Sequence, residues 1–337
     1  MTPDFTRAVG FLQAGKLVAF PTETVYGLGA DAANPEAVAR IFAAKGRPAD
    51  HPLIVHLPGA GHLERWARDI PALAWELAEA FWPGPLTLIL KRAPEVPYAV
   101  TGGQETVGLR MPAHPLALGL LRAFALAGGG RGGLCGIAAP SANRFGRISP
   151  TEAAHVHQEL GATVALVLDG GPCQVGIEST IIDLSCHGDQ PPRLLRPGHI
   201  TPEQIYAVTG VRPEWPAEML GENVPRVSGS LEAHYAPLTP MYLVASEQLP
   251  AVIAELQKSG RRCALLARTR QTLPVLTHAQ SQLPDEAEAY AHGLYAALRE
   301  LDRSANDVIV VEEVPADPAW AAVADRLRRA ACGSGEV

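Results

Sequence analysis

The sequence predicts two α/β domains: a larger one over residues 1–210 around a large mixed sheet, and a smaller doubly wound one over residues 241–337. Three observations lead there. At 337 residues the chain exceeds the size to which one compact core usually grows. Short β-rich runs recur in both parts, with helical patterns between several of them. Between the two, residues 211–240 carry Pro213, Pro216, Pro225, Pro237 and Pro240 with several Gly and Ser and no sustained period. That is the composition of an extended, fairly stiff linker.

The elements follow in order. Phe5, Val9 and Leu12 share one face of a helix that ends near Gly15, a left-handed cap, and the strand 17–20 comes next. Asn34-Pro35-Glu36 starts a helix, with Asn as cap, Pro at the first position, and an apolar face of Val38, Ile41 and Phe42. Strands are expected at 53–57, 86–90, 106–111, 164–168 and 179–184. Beyond the linker the order is strand 241–245, helix 247–258, strand 263–267, helix 285–301, strand 308–314 and a helix from Pro318. No internal repeat is visible.

Bulk properties narrow the function. Hydrophobic residues are 47% and charged residues 19% of the chain, which excludes a disordered or fibrous protein. The net charge of −7 argues against a chain built to grip a nucleic-acid backbone, although a pocket can still focus positive charge on a small phosphate ligand. The start, MTPDFTRAVG, has no basic segment followed by an apolar one. The apolar run 116–127 is short and interrupted by Arg122. Five scattered cysteines without CxxC spacing suit a reducing compartment, so a cytosolic location is expected.

Three apparent motifs carry little. GFLQAGK (10–16) lacks the hydroxyl residue a phosphate loop needs after its lysine, and it ends a helix instead of following a strand. Gly27-Leu28-Gly29 lacks the third glycine of a dinucleotide fingerprint. His155 and His157 stand two apart in a helical pattern and face different directions, as surface histidines would.

Four segments concentrate polar groups beside apolar strands. PTETVYGLGADA (21–32) follows a strand; Thr22, Glu23 and Thr24 are either ligand groups where the chain leaves the sheet or an ordinary stabilised turn. Lys45-Gly46-Arg47-Pro48 can set two cations on one phosphate, or be a basic turn at a helix C-terminus. Ser141 and Asn143 in APSANRFGRISPT (139–151) offer donors to phosphate or ribose oxygens, with Arg144 and Arg147 behind them; a capped loop is the alternative. GIESTIIDL (176–184) opens a strand with Glu178, Ser179 and Thr180, and Arg196 of LLRPG ends the next. No Ser-His-Asp order, zinc spacing or carboxylate pair stands out. The inventory suits binding a triphosphate and a small polar substrate, with catalysis by positioning and charge stabilisation.

Taken together the segments resemble the YrdC-like family in its longer, two-domain form. PTETVYGLGADA, KGRP, HPLIVH (51–56), WPGPLTLIL (82–90), TVGLRMP (106–112), PSAN, GIEST and LRPG appear in family order, and SGSLEAHYAPLTP (228–240) resembles the segment that joins the two domains. The resemblance implies a twisted mixed sheet in the first domain. It implies a reaction in which ATP, L-threonine and bicarbonate give threonylcarbamoyl-AMP and pyrophosphate, with Mg²⁺. A separate transferase complex would use the product to modify the adenosine beside the anticodon of tRNA.

The resemblance also implies residue roles. Lys45 and Arg47 would hold the triphosphate and offset charge on the leaving pyrophosphate. Ser141, Asn143 and Arg196 would contact the nucleotide. Thr22, Arg110 and Ser179 would hold threonine, with His56 nearby. Ser228 and Tyr235, in the linker, would close over the nucleotide as a lid. AGGGRGGLCGIAAPSAN (127–143) is richer in glycine before PSAN than the family pattern leads one to expect, as in a surface insertion or a loop near the nucleotide. Two rivals fit less well. Hydrogenase-maturation carbamoyltransferases are far longer and carry cysteine-rich zinc segments, while an RNA-binding module would show a basic stripe and more than 6% aromatics.

Overall fold

The computed structural model describes residues 4–186, 191–215, 224–269 and 277–335. Its contacts divide the chain into two compact units. The first holds residues 1–144, 150–174 and 178–230; the second holds 145–149, 175–177 and 231–337.

The first unit begins with helix α1 (Phe5–Gln13), capped by the Asp4 carboxylate, and turns at Gly15 in the left-handed region. Strands β1 (Val18–Pro21) and β2 (Tyr26–Asp31) form an antiparallel hairpin. Helix α2 (Pro35–Lys45) starts on the Asn34 cap and ends at left-handed Gly46. Then come β3 (Ile54–His56), α3 (Leu63–Trp66), α4 (Ala72–Phe81), β4 (Leu86–Lys91), α5 (Tyr98–Thr101), β5 (Thr106–Arg110) and α6 (Pro115–Leu126). The remainder is β6 (Ile137–Ala138), α7 (Ala153–Leu160), β7 (Leu166–Val167), β8 (Thr180–Asp183), β9 (Arg193–Arg196) and α8 (Pro202–Thr209). The nine strands make one mixed sheet in the order β7-β1-β2-β6-β3-β5-β4-β8-β9.

Period-two alternation decides what each face does. Leu28, Val55, Leu88, Leu109 and Ile182 point to one face, where α2, α3, α4 and α7 seal a large core. On the opposite face, among the described residues, apolar clusters lie at the two ends. At one end α1 and α6 cover Val18, Phe20 and Ile137. At the other, Val227 lies among Ile54, Ile89, Ile181 and Leu195. Between these ends the same alternation presents polar residues.

Strand β2 is absent from the sequence reading, which takes residues 21–32 as a loop leaving the sheet. Its two glycines hide it, because glycine is a poor strand former. They stand there for room: a Cβ on Gly29 would come 2.7 Å from the Phe20 ring. The run 164–168 pairs over two residues only, as an edge strand often does. His155, read as a surface residue, is buried, and its Nδ1 accepts the Thr151 amide. The glycine-rich approach is built to fit: a Cβ on Gly136 would strike Val55 and Trp66, and one on Gly130 would strike the Leu134 carbonyl.

In the second unit, β10 (Met241–Val244), α9 (Leu249–Lys258), β11 (Cys263–Ala267), β12 (Ala279–Gln282), α10 (Ala287–Arg303), β13 (Val308–Glu312) and α11 (Ala321–Gly333) build an all-parallel sheet, ordered β10-β13-β11-β12. Helix α9 packs on the face carrying Cys263, Leu265, Val308 and Val310. Strand β12, spelled Ala-Gln-Ser-Gln, lacks the apolar run that would reveal it.

Glu214 pairs with β9, 224–230 belong to the first unit, and 231–240 belong to the second. The portion 216–223 of that expected linker lies outside the described residues. No described helix is long and apolar enough to cross a membrane.

Candidate active site

The polar strip on that second face is assembled by register. β3 and β5 pair His56 with Arg110 and Ile54 with Gly108, so both polar side chains share that face. Thr87 of β4 shares it with Ile89, and Ser179 precedes β8 in the same alternation as Ile181.

At the β1–β2 turn the Thr22 hydroxyl donates to the Val25 carbonyl at 2.7 Å and lies 2.8 Å from the Thr24 hydroxyl. The turn is therefore tied internally through its threonines. It also reaches across the strip. Thr24 accepts from Arg110 Nη1 at 2.9 Å, and Glu23 meets Arg110 Nη2 at 2.6 Å. The other Glu23 oxygen accepts the Ala113 amide at 3.0 Å, and Arg110 Nε donates to the Gly84 carbonyl. Two guanidinium nitrogens, Nε and Nη1, thus donate hydrogen bonds inside the protein, while Nη2 meets Glu23 as an ion pair.

His56 is buried beside Arg110, edge-on to Phe20. Burial, with the nearby Arg110 charge, pulls its pKa down to about 3, so the ring is neutral at physiological pH.

Ser179 links the next pair of elements. Its hydroxyl is 2.7 Å from Thr87 Oγ1 and accepts from Arg196 Nη2 at 3.1 Å. Arg196 also donates to the Ser179 carbonyl at 3.0 Å and to the Ser228 carbonyl at 2.7 Å. Ser228 in turn accepts from Arg47 Nη2 at 3.4 Å through its hydroxyl, so one residue takes contacts from two arginines, Arg196 on its carbonyl and Arg47 on its side chain. It is held by its neighbours: Gln104 and Arg226 exchange two backbone–amide bonds, and Arg226 pairs with Asp50 at 3.0 Å.

Lys45 closes the group. Its Nζ donates to the carbonyls of Ser141 and Asn143, each at 2.5 Å, and Asn143 Nδ2 donates to the Arg144 carbonyl. Burial, reinforced by Arg47, pushes the Lys45 amine well below the usual lysine range.

Ten of the residues singled out from sequence (Thr22, Lys45, Arg47, His56, Arg110, Ser141, Asn143, Ser179, Arg196 and Ser228) belong to the first unit, joined in these chains of contacts. Tyr235 belongs to the second. It is buried, left-handed at φ 63°, stacked on Tyr295 and faced by Arg326. Sequence reading missed Thr87, Gln104, Arg226 and Val227, and gave Glu23 and Thr24 no specific role. Thr87 left one trace, a hydroxyl inside an otherwise apolar strand.

Chemically the strip offers cations, hydroxyls and a neutral imidazole. Such a set suits phosphate oxygens and an amino-acid carboxylate.

Comparison with known proteins agrees with the geometry. Residues 10–198 match the Sua5/YciO/YrdC family model, described as "Telomere recombination", and residues 200–332 match the "Threonylcarbamoyl-AMP synthase, C-terminal domain". The threonylcarbamoyl-AMP synthase of Pyrococcus abyssi is 41% identical over 331 residues, covering 96% of this chain and 92% of that one. The Bacillus subtilis enzyme of the same name is 42% identical over 338 residues, covering 98% and 94%. The crystal structure of P. abyssi Sua5 complexed with L-threonine superposes with a TM-score of 0.87 at 40% identity, covering 98% of this chain and 94% of that one.

Proposed function

Because this chain belongs to the Sua5/YciO/YrdC family and carries the C-terminal domain of the threonylcarbamoyl-AMP synthases, we infer that it makes threonylcarbamoyl-AMP. The enzyme consumes ATP, L-threonine and bicarbonate and releases pyrophosphate. The threonine amine and bicarbonate condense with loss of water to an N-carboxylate. One of its oxygens then attacks the α-phosphorus of ATP, and the α–β bridging oxygen departs with pyrophosphate.

The observation that carries the reading is that contacts within the first unit join all four polar segments of the sequence: Ala142 to Tyr26, Lys45 to Ser141 and Asn143, and Arg47 and Arg196 to Ser228. We assign the roles as follows. Lys45 and Arg47 hold the triphosphate and offset charge on the departing pyrophosphate, while Ser141, Asn143 and Arg196 contact the nucleotide. Thr22, Arg110 and Ser179 hold threonine. The N–H donors of Arg110 beyond those on Thr24 and Gly84 suffice for one carboxylate. Neutral His56 packs at the threonine side without adding charge. Ser228 and Tyr235 act in closure over the nucleotide.

Mg²⁺ is assigned to the substrate. The residues of the strip are cations and hydroxyls that fit phosphate oxygens, so the metal travels with the ATP phosphates. The product passes to a separate tRNA-modifying transferase complex in the cytoplasm, and the enzyme needs no nucleic-acid grip of its own.

The test is incubation with ATP, Mg²⁺, L-threonine and bicarbonate. Pyrophosphate should appear only with both threonine and bicarbonate, together with the product mass. Folded protein that binds ATP but forms no product would overturn the reading.

A further inference from the structure

The second unit contains two short pieces from the first half of the chain, 145–149 and 175–177. Each continues directly from, or into, a segment assigned to the site. Phe145 stands two residues beyond Asn143, and Ile177 stands two before Ser179.

Helix α10 holds the first piece. Buried Arg299 donates to the Ile148 carbonyl and approaches that of Ser149 at 3.5 Å. One turn further along, Asp302 takes Arg147 Nη2 at 3.2 Å. The same carboxylate accepts the backbone amides of Leu238 at 3.0 Å and Thr239 at 2.8 Å. Ala236 closes the arrangement by donating its amide to the Gly146 carbonyl at 2.8 Å. Phe145 lies edge-on to His234, 6.0 Å between ring centres. The second piece meets α10 as well: a Cβ on left-handed Gly176 would come 2.6 Å from the Ala291 carbonyl oxygen.

We propose that Arg299 and Asp302 are positioning residues for the reaction, fixing the chain that leaves Ser141 and Asn143 and tying it to the 234–239 segment as one piece. Neither touches substrate. Their effect runs through the backbone carbonyls they hold and rests on the activity inferred above. A buried guanidinium on two carbonyls and a carboxylate shared by three donors are stiff clamps, because releasing either removes hydrogen bonds from buried polar groups. Small misplacement of a binding loop costs affinity and rate steeply.

The experiment compares wild type, Arg299→Met, Arg299→Lys, Asp302→Asn and the control Arg262→Ala, which removes an exposed ion pair with Asp307 elsewhere in the unit. Amide hydrogen exchange over 141–150 and steady-state pyrophosphate release are read for each. In Arg299→Met, exchange at 145–149 should quicken about tenfold. The KM for ATP should rise about tenfold while that for threonine stays within about twofold. Arg299→Lys should recover part of both, and the control should change neither.

Folded Arg299→Met with wild-type exchange and KM would overturn the proposal. Should that variant not fold, Asp302→Asn decides, through faster exchange at Arg147, Leu238 and Thr239 or its absence. A wild type without turnover would sink the activity reading alone, and the exchange measurements would still decide the clamp.

Discussion

Glu23 and Arg110 meet at 2.6 Å with side chains only 5% and 4% exposed, as a buried ion pair beside the polar strip of the sheet. One oxygen of Glu23 spans to Arg110 and the other to the Ala113 amide, so the carboxylate fixes where the guanidinium points. Glu23→Ala would leave Arg110 charged and buried without its counter-ion, at a cost of about 3–5 kcal/mol. Denaturant unfolding should register that loss, and the threonine KM should rise more than about tenfold. An unchanged unfolding midpoint would mean that the pair contributes nothing.

Lys45 is proposed to hold the triphosphate of the nucleotide. Its amine is buried between two carbonyls and pushed down by that burial, so a triphosphate arriving beside it stabilises the charged form. ATP binding should therefore take up protons, seen as a binding heat that varies with the ionisation enthalpy of the buffer. Lys45→Ala should lower kcat/KM for ATP by about 10² or more and abolish the uptake. Uptake that persists in the variant would place the proton elsewhere.

His56 makes stability depend on pH. Unfolded, its pKa is about 6.5; folded, it is about 3. Between those values the unfolded chain holds the extra proton, so its contribution is complete above about pH 6.5. It is lost as pH falls toward 3, by about 1.4 kcal/mol per pH unit at most. His56→Gln should flatten that part of the stability profile. An identical slope in the variant would refute the assignment.

Val227 is the apolar pin of the 224–228 segment, seated among Ile54, Ile89, Ile181 and Leu195. Val227→Ala should cost about 1–3 kcal/mol, and Val227→Asp more, since a charge would be buried without a partner. Because the pin stands next to Ser228, both variants should also weaken ATP binding. Val227→Asp with wild-type stability and ATP KM would show that the segment is not seated as described.

The α/β class, the parallel second sheet and the helix at Asn34 were all legible, because caps and apolar periodicity are local signals. The clustered polar motifs were legible as segments. Their mutual contacts were not, since Arg110 lies 87 residues from Glu23 and nothing local records their pairing. β2 stayed hidden because its glycines answer a neighbour, Phe20, in place of strand propensity.

What the sequence determined by itself was the inventory: cations, hydroxyls and one imidazole placed at strand ends. What only the tertiary structure decided was the register that turns His56, Arg110, Thr87 and Ser179 to a single face, and the division that gives 145–149 and 175–177 to the second unit. The physical reason is the range of the interactions. Propensity, capping and alternation act over a few residues, whereas strand pairing and burial join parts of the chain that the linear order keeps far apart.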